Sequence, residues 1–126
     1  MLSWNDIAVQ SATVARRLVH QGEERSSVSR AYYAAYSMMT ARLWGQGLKS
    51  FGGRGNPSHA QLPRLVKETM TGLNPAARRE ASQAIRRLYK YRVIADYLPG
   101  NLLDEGSRRE ALRDLLLIER ANGGSR

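Results

Sequence analysis

The sequence predicts an all-α protein, an up-and-down bundle of four to five antiparallel helices. Three observations carry that expectation. No segment alternates apolar and polar residues with the period of two that a half-buried strand requires. Helix start and stop signals recur along the chain: Ser3 with Asp6, Gly22, Gly72, Asn74-Pro75 and Pro99-Gly100. The segment Ser29-Arg30-Ala31-Tyr32-Tyr33-Ala34-Ala35-Tyr36 is apolar or small on nearly every side of a helix, a pattern that belongs in the middle of a bundle.

Each element follows from local chemistry. Ser3 is the expected N-cap of the first helix, with Asp6 in the capping-box position and Gln21-Gly22 at its end. The second helix runs from Glu23 or Glu24 to Trp44-Gly45, and acids at its start suit the helix dipole. Residues 46–57 hold Gly47, Gly52, Gly53, Gly55 and Pro57 and read as a flexible loop. A third helix is expected from about Ser58 to Thr71, with Ser58 and Gln61 at capping-box spacing and Gly72 after it. Pro63 weakens its first turn or moves its start to about Leu62. Asn74 caps the fourth helix, Pro75 takes its first position, and it stops near Tyr97. The last helix runs from near Asp104 to Ala121. One domain over residues 1–121 and a frayed tail over 122–126 complete the expectation.

Composition narrows the function. There is no cysteine, which excludes disulfides and thiolate metal sites and makes a reducing cytoplasm the default location. No apolar run approaches the ~20 residues needed to span a bilayer, so no membrane association is expected. The net charge is +9, and its distribution is uneven. From Arg42 to Arg92 there are 11 Lys/Arg against two acids, Glu68 and Glu80. A localised basic excess fits a polyanionic partner, RNA, DNA or an acidic protein; it equally fits a solvated surface.

Chemistry-bearing residues cluster on two helices. In the fourth, the stripe Ala81, Ile85, Leu88 continues to Arg92, which therefore points inward or along a groove. Asp96 lies four residues on and can pair with it. Arg86 and Lys90 share another face with Arg79 and look solvent-facing. In the second, Arg30 and three phenols bring polar atoms indoors, where they need partners or a ligand. Two histidines without cysteines do not make a transition-metal site, and no phosphate-cradling glycine motif stands on a strand–helix unit. No cofactor is expected.

Ser29 to Tyr36, continued by Ser37-Met38-Met39-Thr40-Ala41-Arg42-Leu43, resembles the central helix of the HEPN superfamily (higher eukaryotes and prokaryotes nucleotide-binding). The nearest subgroup is a small prokaryotic one with a Ser-Arg-x-Tyr-Tyr-Ala-Ala helix. Gly22 before that helix, Ser58-His59 after the glycine-rich loop, and Arg92-x-x-Ala95-Asp96-Tyr97 at the end of the fourth helix agree with it. The resemblance implies a helical bundle and an RNA- or nucleotide-binding protein of a toxin–antitoxin or defence module. Many members are metal-independent endoribonucleases built as homodimers, often beside a nucleotidyltransferase-like partner. Their signature arginine is followed four to six residues later by a histidine. Arg92 matches the arginine, but Asp96, Tyr97, Leu98 and Pro99 occupy the following positions, so the ribonuclease motif is degenerate.

The expected binding site comprises Arg30, Tyr33, Tyr36, His59, Arg92, Asp96 and Tyr97, with Arg86, Arg87 and Lys90 on a basic face interleaved with tyrosines. Arg92, His59 and Asp96 are the candidates should catalysis occur. Alternatives are a non-catalytic module that docks a nucleotidyltransferase-like partner, and an active endoribonuclease using Arg92 and His59. Tyr32, Tyr33 and Tyr36 also fit core or inter-helix packing, each hydroxyl satisfied by a neighbour. Trp4, Trp44 and Phe51 are candidates for exposed apolar contacts in a homodimer.

Overall fold

A computed structural model describes residues 3–20, 24–97 and 105–123. Five helices follow in order: α1 (Trp4–His20), α2 (Glu24–Gly45), α3 (Gln61–Thr69), α4 (Pro75–Tyr97) and α5 (Glu105–Ala121). There is no strand among the described residues. None of the described helices is long and apolar enough to cross a membrane.

α2 is the axis. It lies against α1, α4 and α5, while α3 packs on α4. From Ser27 to Thr40 every side chain is buried except Ser29, Arg30 and Tyr33. Small residues make this possible: Ala31, Ala34 and Ala35 on α2 face a core that also takes Ala8, Ala12 and Ala15 from α1. Larger side chains, Met39, Leu43, Leu62, Ile85, Leu88, Leu115 and Ile118, fill the remaining space.

Specific bonds set the directions. Ser27 Oγ donates to the Ala15 carbonyl at 2.9 Å, while Trp4 meets Tyr36 edge-on at 6.1 Å between ring centres, so α1 and α2 run antiparallel. Arg25 donates to the Ala95 carbonyl at 2.8 Å and Arg92 to the Tyr33 hydroxyl at 2.7 Å, which makes α2 and α4 antiparallel too. The Arg25 guanidinium thereby satisfies a carbonyl that the end of α4 leaves without a helical partner.

Helix ends follow the expected chemistry closely. Ser3 and Asp6 exchange reciprocal bonds of 3.0 Å, and Ser58 and Gln61 do the same at 2.8 and 3.0 Å. The Asn74 side chain accepts from the Ala77 amide at 2.8 Å. α2 ends in a Schellman motif: Leu48 N–H bonds the Leu43 carbonyl, Gly47 N–H bonds the Trp44 carbonyl, and Gly47 takes φ +97°.

Three expectations require correction. α3 spans Gln61–Thr69, short of Ser58 and Thr71: its start agrees with the shift to about Leu62 that Pro63 allowed, the Ser58 box opens a turn before it, and Pro63 sits in the first helical turn, where its missing N–H is harmless. Met70 ends it in an extended conformation and its side chain is fully buried. Phe51 is not an exposed contact; it is 5% accessible and belongs to the core. Asn122, placed in the tail by expectation, bonds the bundle: its Oδ1 accepts from Arg42 at 3.3 Å. The expected stop at Gln21-Gly22, the side chain of His20 and the Pro99-Gly100 boundary lie outside the described residues.

Arg42 ties three parts of the chain. One nitrogen donates to the Ala121 carbonyl at 3.1 Å and the other to the Thr71 carbonyl at 3.0 Å. Gly72 sits beneath it at φ +83°, and a Cβ there would lie 2.7 Å from Arg42 Nη2. Gly72→Ala is therefore expected to lower stability by at least about 1–2 kcal/mol, the cost of a left-handed residue with a side chain, as read from urea unfolding.

Candidate functional site

The polar groups of α2 meet the end of the glycine-rich loop. The Tyr36 hydroxyl donates to the Pro57 carbonyl at 2.5 Å and accepts from Asn56 Nδ2 at 2.8 Å. The Tyr32 hydroxyl bonds His59 Nδ1 at 2.5 Å. His59 then lies against three phenol rings. It stacks on Tyr89 of α4 at 4.9 Å and 24°, with Tyr32 and Tyr36 at 5.4 and 5.6 Å. On the open side is a groove of about 380 Å³, lined by Trp4, Ile7, Tyr33, Tyr36, Ser37, Arg54 and residues 56–59.

The protonation states follow from burial. Burial, then the Arg92 charge, hold the His59 pKa below the ordinary histidine range, so the ring is neutral at pH 7. Burial first, then the neighbouring Tyr36, raise the Tyr32 pKa, so that phenol keeps its proton. Tyr32 is fully buried and its hydroxyl has no other bond among the described residues. Its proton therefore goes to Nδ1, which assigns the imidazole proton to Nε2.

Arg92 stands beside this groove with its side chain 11% accessible. Nη2 donates to the Tyr33 hydroxyl at 2.7 Å, and Nε is 3.0 Å from Asp96 Oδ2. The Nε–H is not aimed at that oxygen, so the Asp96 contact is an ion pair without a hydrogen bond. The guanidinium is also 5.2 Å from the Tyr33 ring centre and 5.6 Å from that of Tyr97, a cation–π arrangement. Beyond Asp96, Ser29 Oγ approaches the carboxylate at 3.5 Å.

The expected site residues thus fall into groups. Tyr33, Tyr36 and His59 line the groove, and Arg92 joins Tyr33 to Asp96. Arg30 lies in a neighbouring cleft with Asp96. Tyr97 is 65% accessible at the outer edge. Arg86 and Lys90 are exposed, as their helical face implied. Arg87 differs: it forms a bidentate ion pair with Asp114, a carboxylate buried in α5. It answers a structural charge and does not extend the open basic face.

Trp4, Ser37, Asn56 and Arg54 line the groove in addition to the residues expected from the sequence. Ser37 continues the stripe Ser26, Ser29, Arg30, Tyr33 at helical spacing, a signal present in the sequence. Asn56 and Arg54 sit in a loop with no periodicity, and only the fold brings them in. No group of three or more His, Asp or Glu that could hold a metal occurs among the described residues.

Two outcomes test this geometry. Tyr32→Phe leaves Nδ1 of the half-buried His59 without a donor and should cost about 1 kcal/mol in urea unfolding. The pH dependence has a definite sign. An unfolded histidine titrates near ~6.5, and folded His59 titrates lower. The unfolded chain then binds the proton more readily, so stability present above the unfolded value is lost as pH falls through the folded one. His59→Asn should flatten the fall in the urea midpoint below about pH 6.5; an unchanged slope would show that His59 is not the group responsible.

The family model for the HEPN domain matches residues 1–120. No curated protein and no solved structure matches the chain. The match runs from α1 to the end of α5 and includes both the tyrosine helix and the Arg92 segment. The chain therefore belongs to the HEPN domain family, a family of nucleotide- and RNA-related function.

Proposed function

We propose that the protein binds RNA or a nucleotide in the groove between Tyr33, Tyr36 and His59, with Arg92 as its fixed cation. The observation that carries this reading is the placement of Arg92. A nearly buried guanidinium, held by one hydroxyl and one carboxylate and flanked by two tyrosine rings, is a preformed partner for a phosphate beside a base-stacking surface. His59 adds an Nε2–H donor, since its Nδ1 is occupied by Tyr32. Arg86 and Lys90 supply an open basic face on the same helix.

A toxin–antitoxin or defence role in the cytoplasm, a homodimeric state and a nucleotidyltransferase-like partner belong to the same reading and rest on the family resemblance. One observation favours a ribonuclease as the second reading. The histidine missing after Arg92 is replaced in space by His59, close enough for the Arg92 charge to lower its pKa. In its present tautomer His59 donates from Nε2 and does not accept there, which suits phosphate binding better than proton abstraction.

Fluorescence anisotropy with labelled single-stranded RNA at low salt tests the first reading. Arg92→Ala is expected to weaken binding at least tenfold while the circular dichroism stays helical. Neutralising Arg86 and Lys90 together should lower the slope of log affinity against log salt by about 1.4, at ~0.7 per phosphate contact. RNA that does not bind at low salt would remove the proposal. Arg87→Ala is unsuited to this purpose, because it strands the buried Asp114. For the second reading, wild-type protein should cleave end-labelled RNA without metal, and both Arg92→Ala and His59→Ala should stop it; cleavage that survives both comes from another source.

A further inference from the structure

We infer that Arg30, Ser29 and Asp96 form a second nucleotide subsite, so that the protein takes two consecutive ribonucleotides of an RNA strand and not a single free nucleotide. This rests on the reading of the tyrosine groove as a nucleotide site and names the substrate class of that site.

The starting observation is a second cleft, also of about 380 Å³, between the first turns of α2 and the end of α4. Arg25, Ser26, Ser29, Arg30, Ala95 and Asp96 line it. Each cleft is at the small end of the ~300–1,000 Å³ typical of ligand sites. The two adjoin. Tyr33 lines the first, Asp96 lines the second, and Arg92 bonds Tyr33 at 2.7 Å and pairs with Asp96 at 3.0 Å. One guanidinium, itself in neither lining, thus connects the two, and the phosphate joining two nucleosides would pass beside it.

The lining of the second cleft matches the next nucleotide. Arg30 is exposed and makes no hydrogen bond or ion pair among the described residues, so its guanidinium is available to a phosphate. Ser29 and Asp96 touch only at 3.5 Å, the limit of a hydrogen bond, and both keep unused capacity. A ribose 2′-hydroxyl can donate to the carboxylate and accept from the serine at once, and a deoxyribose can do neither. The Asp96 charge, which would repel a phosphate, is already opposed by Arg92. The stripe from Ser26 to Ser37 extends about 16 Å along α2, against ~3.4 Å between stacked bases.

Anisotropy with fluorescein-labelled r(A)6 and d(A)6 tests this. Wild-type protein should prefer r(A)6 by tenfold or more. Ser29→Ala should bring that ratio close to one, and Arg30→Ala should weaken r(A)6 about tenfold. Arg17→Ala, the same charge change at an exposed position on α1, should weaken it less than threefold. Equal affinity of wild type for both strands, or Arg30→Ala no worse than Arg17→Ala, overturns the second subsite. Where r(A)6 binding is lost in Arg92→Ala yet unmoved in Arg30→Ala, the groove stands and this inference alone fails. No r(A)6 binding by wild type at low salt defeats the groove reading, and the subsite with it.

Discussion

Burying phenols on a central helix is the constraint on which the rest of the structure depends. Tyr32 and Tyr36 occupy core positions of α2, and each carries a hydroxyl that costs free energy unless it is bonded. The neighbouring helices offer mostly alanine, leucine and isoleucine. Both hydroxyls find their partners in residues 56–59 instead: Pro57 and Asn56 for Tyr36, and His59 for Tyr32. The loop is thereby drawn across α2, and Phe51 is carried into the core with it. The groove is the space left open beside that closure.

The arginines divide along the same line. Arg25 and Arg42 hold main-chain carbonyls near helix ends. Arg87 answers buried Asp114, and Arg16 pairs with Glu119 across to α5. Part of the basic composition is therefore engaged with helix-end carbonyls and carboxylates. Many cations stay open, among them Arg79, Arg86 and Lys90 on one ridge of α4 and Arg30 on α2. Arg92 stands between the two classes, held by protein groups yet beside the groove.

The bundle was legible because its signals are local. Ser3-Asp6, Ser58-Gln61 and Asn74-Pro75 act within one turn, and α2 declares its burial by lacking a polar face. The site was legible in part. Arg92 and Asp96 are one turn apart on one helix, so their pairing could be read directly. That His59 meets Tyr32 and Tyr89 could not, since three separate elements supply them and no spacing encodes the approach. The same holds for Arg87, whose partner lies on α5, and for Phe51, whose burial follows from where the loop is pulled. The sequence also placed Arg30 and His59 in one pocket; the structure sets them in two different clefts.

These assignments differ in how freely they can change. Tyr36 serves the core and the groove with the same atoms, and Tyr32 holds the groove-lining His59, so a substitution at either also loosens the loop. Arg30 carries no such double duty, being exposed and without a bond to the rest of the chain among the described residues. Related bundles could exchange the residue at that position at little cost to folding. Divergence of ligand preference within this fold would then begin at the second turn of the tyrosine helix, on its solvent side, while the aromatic floor stays as it is.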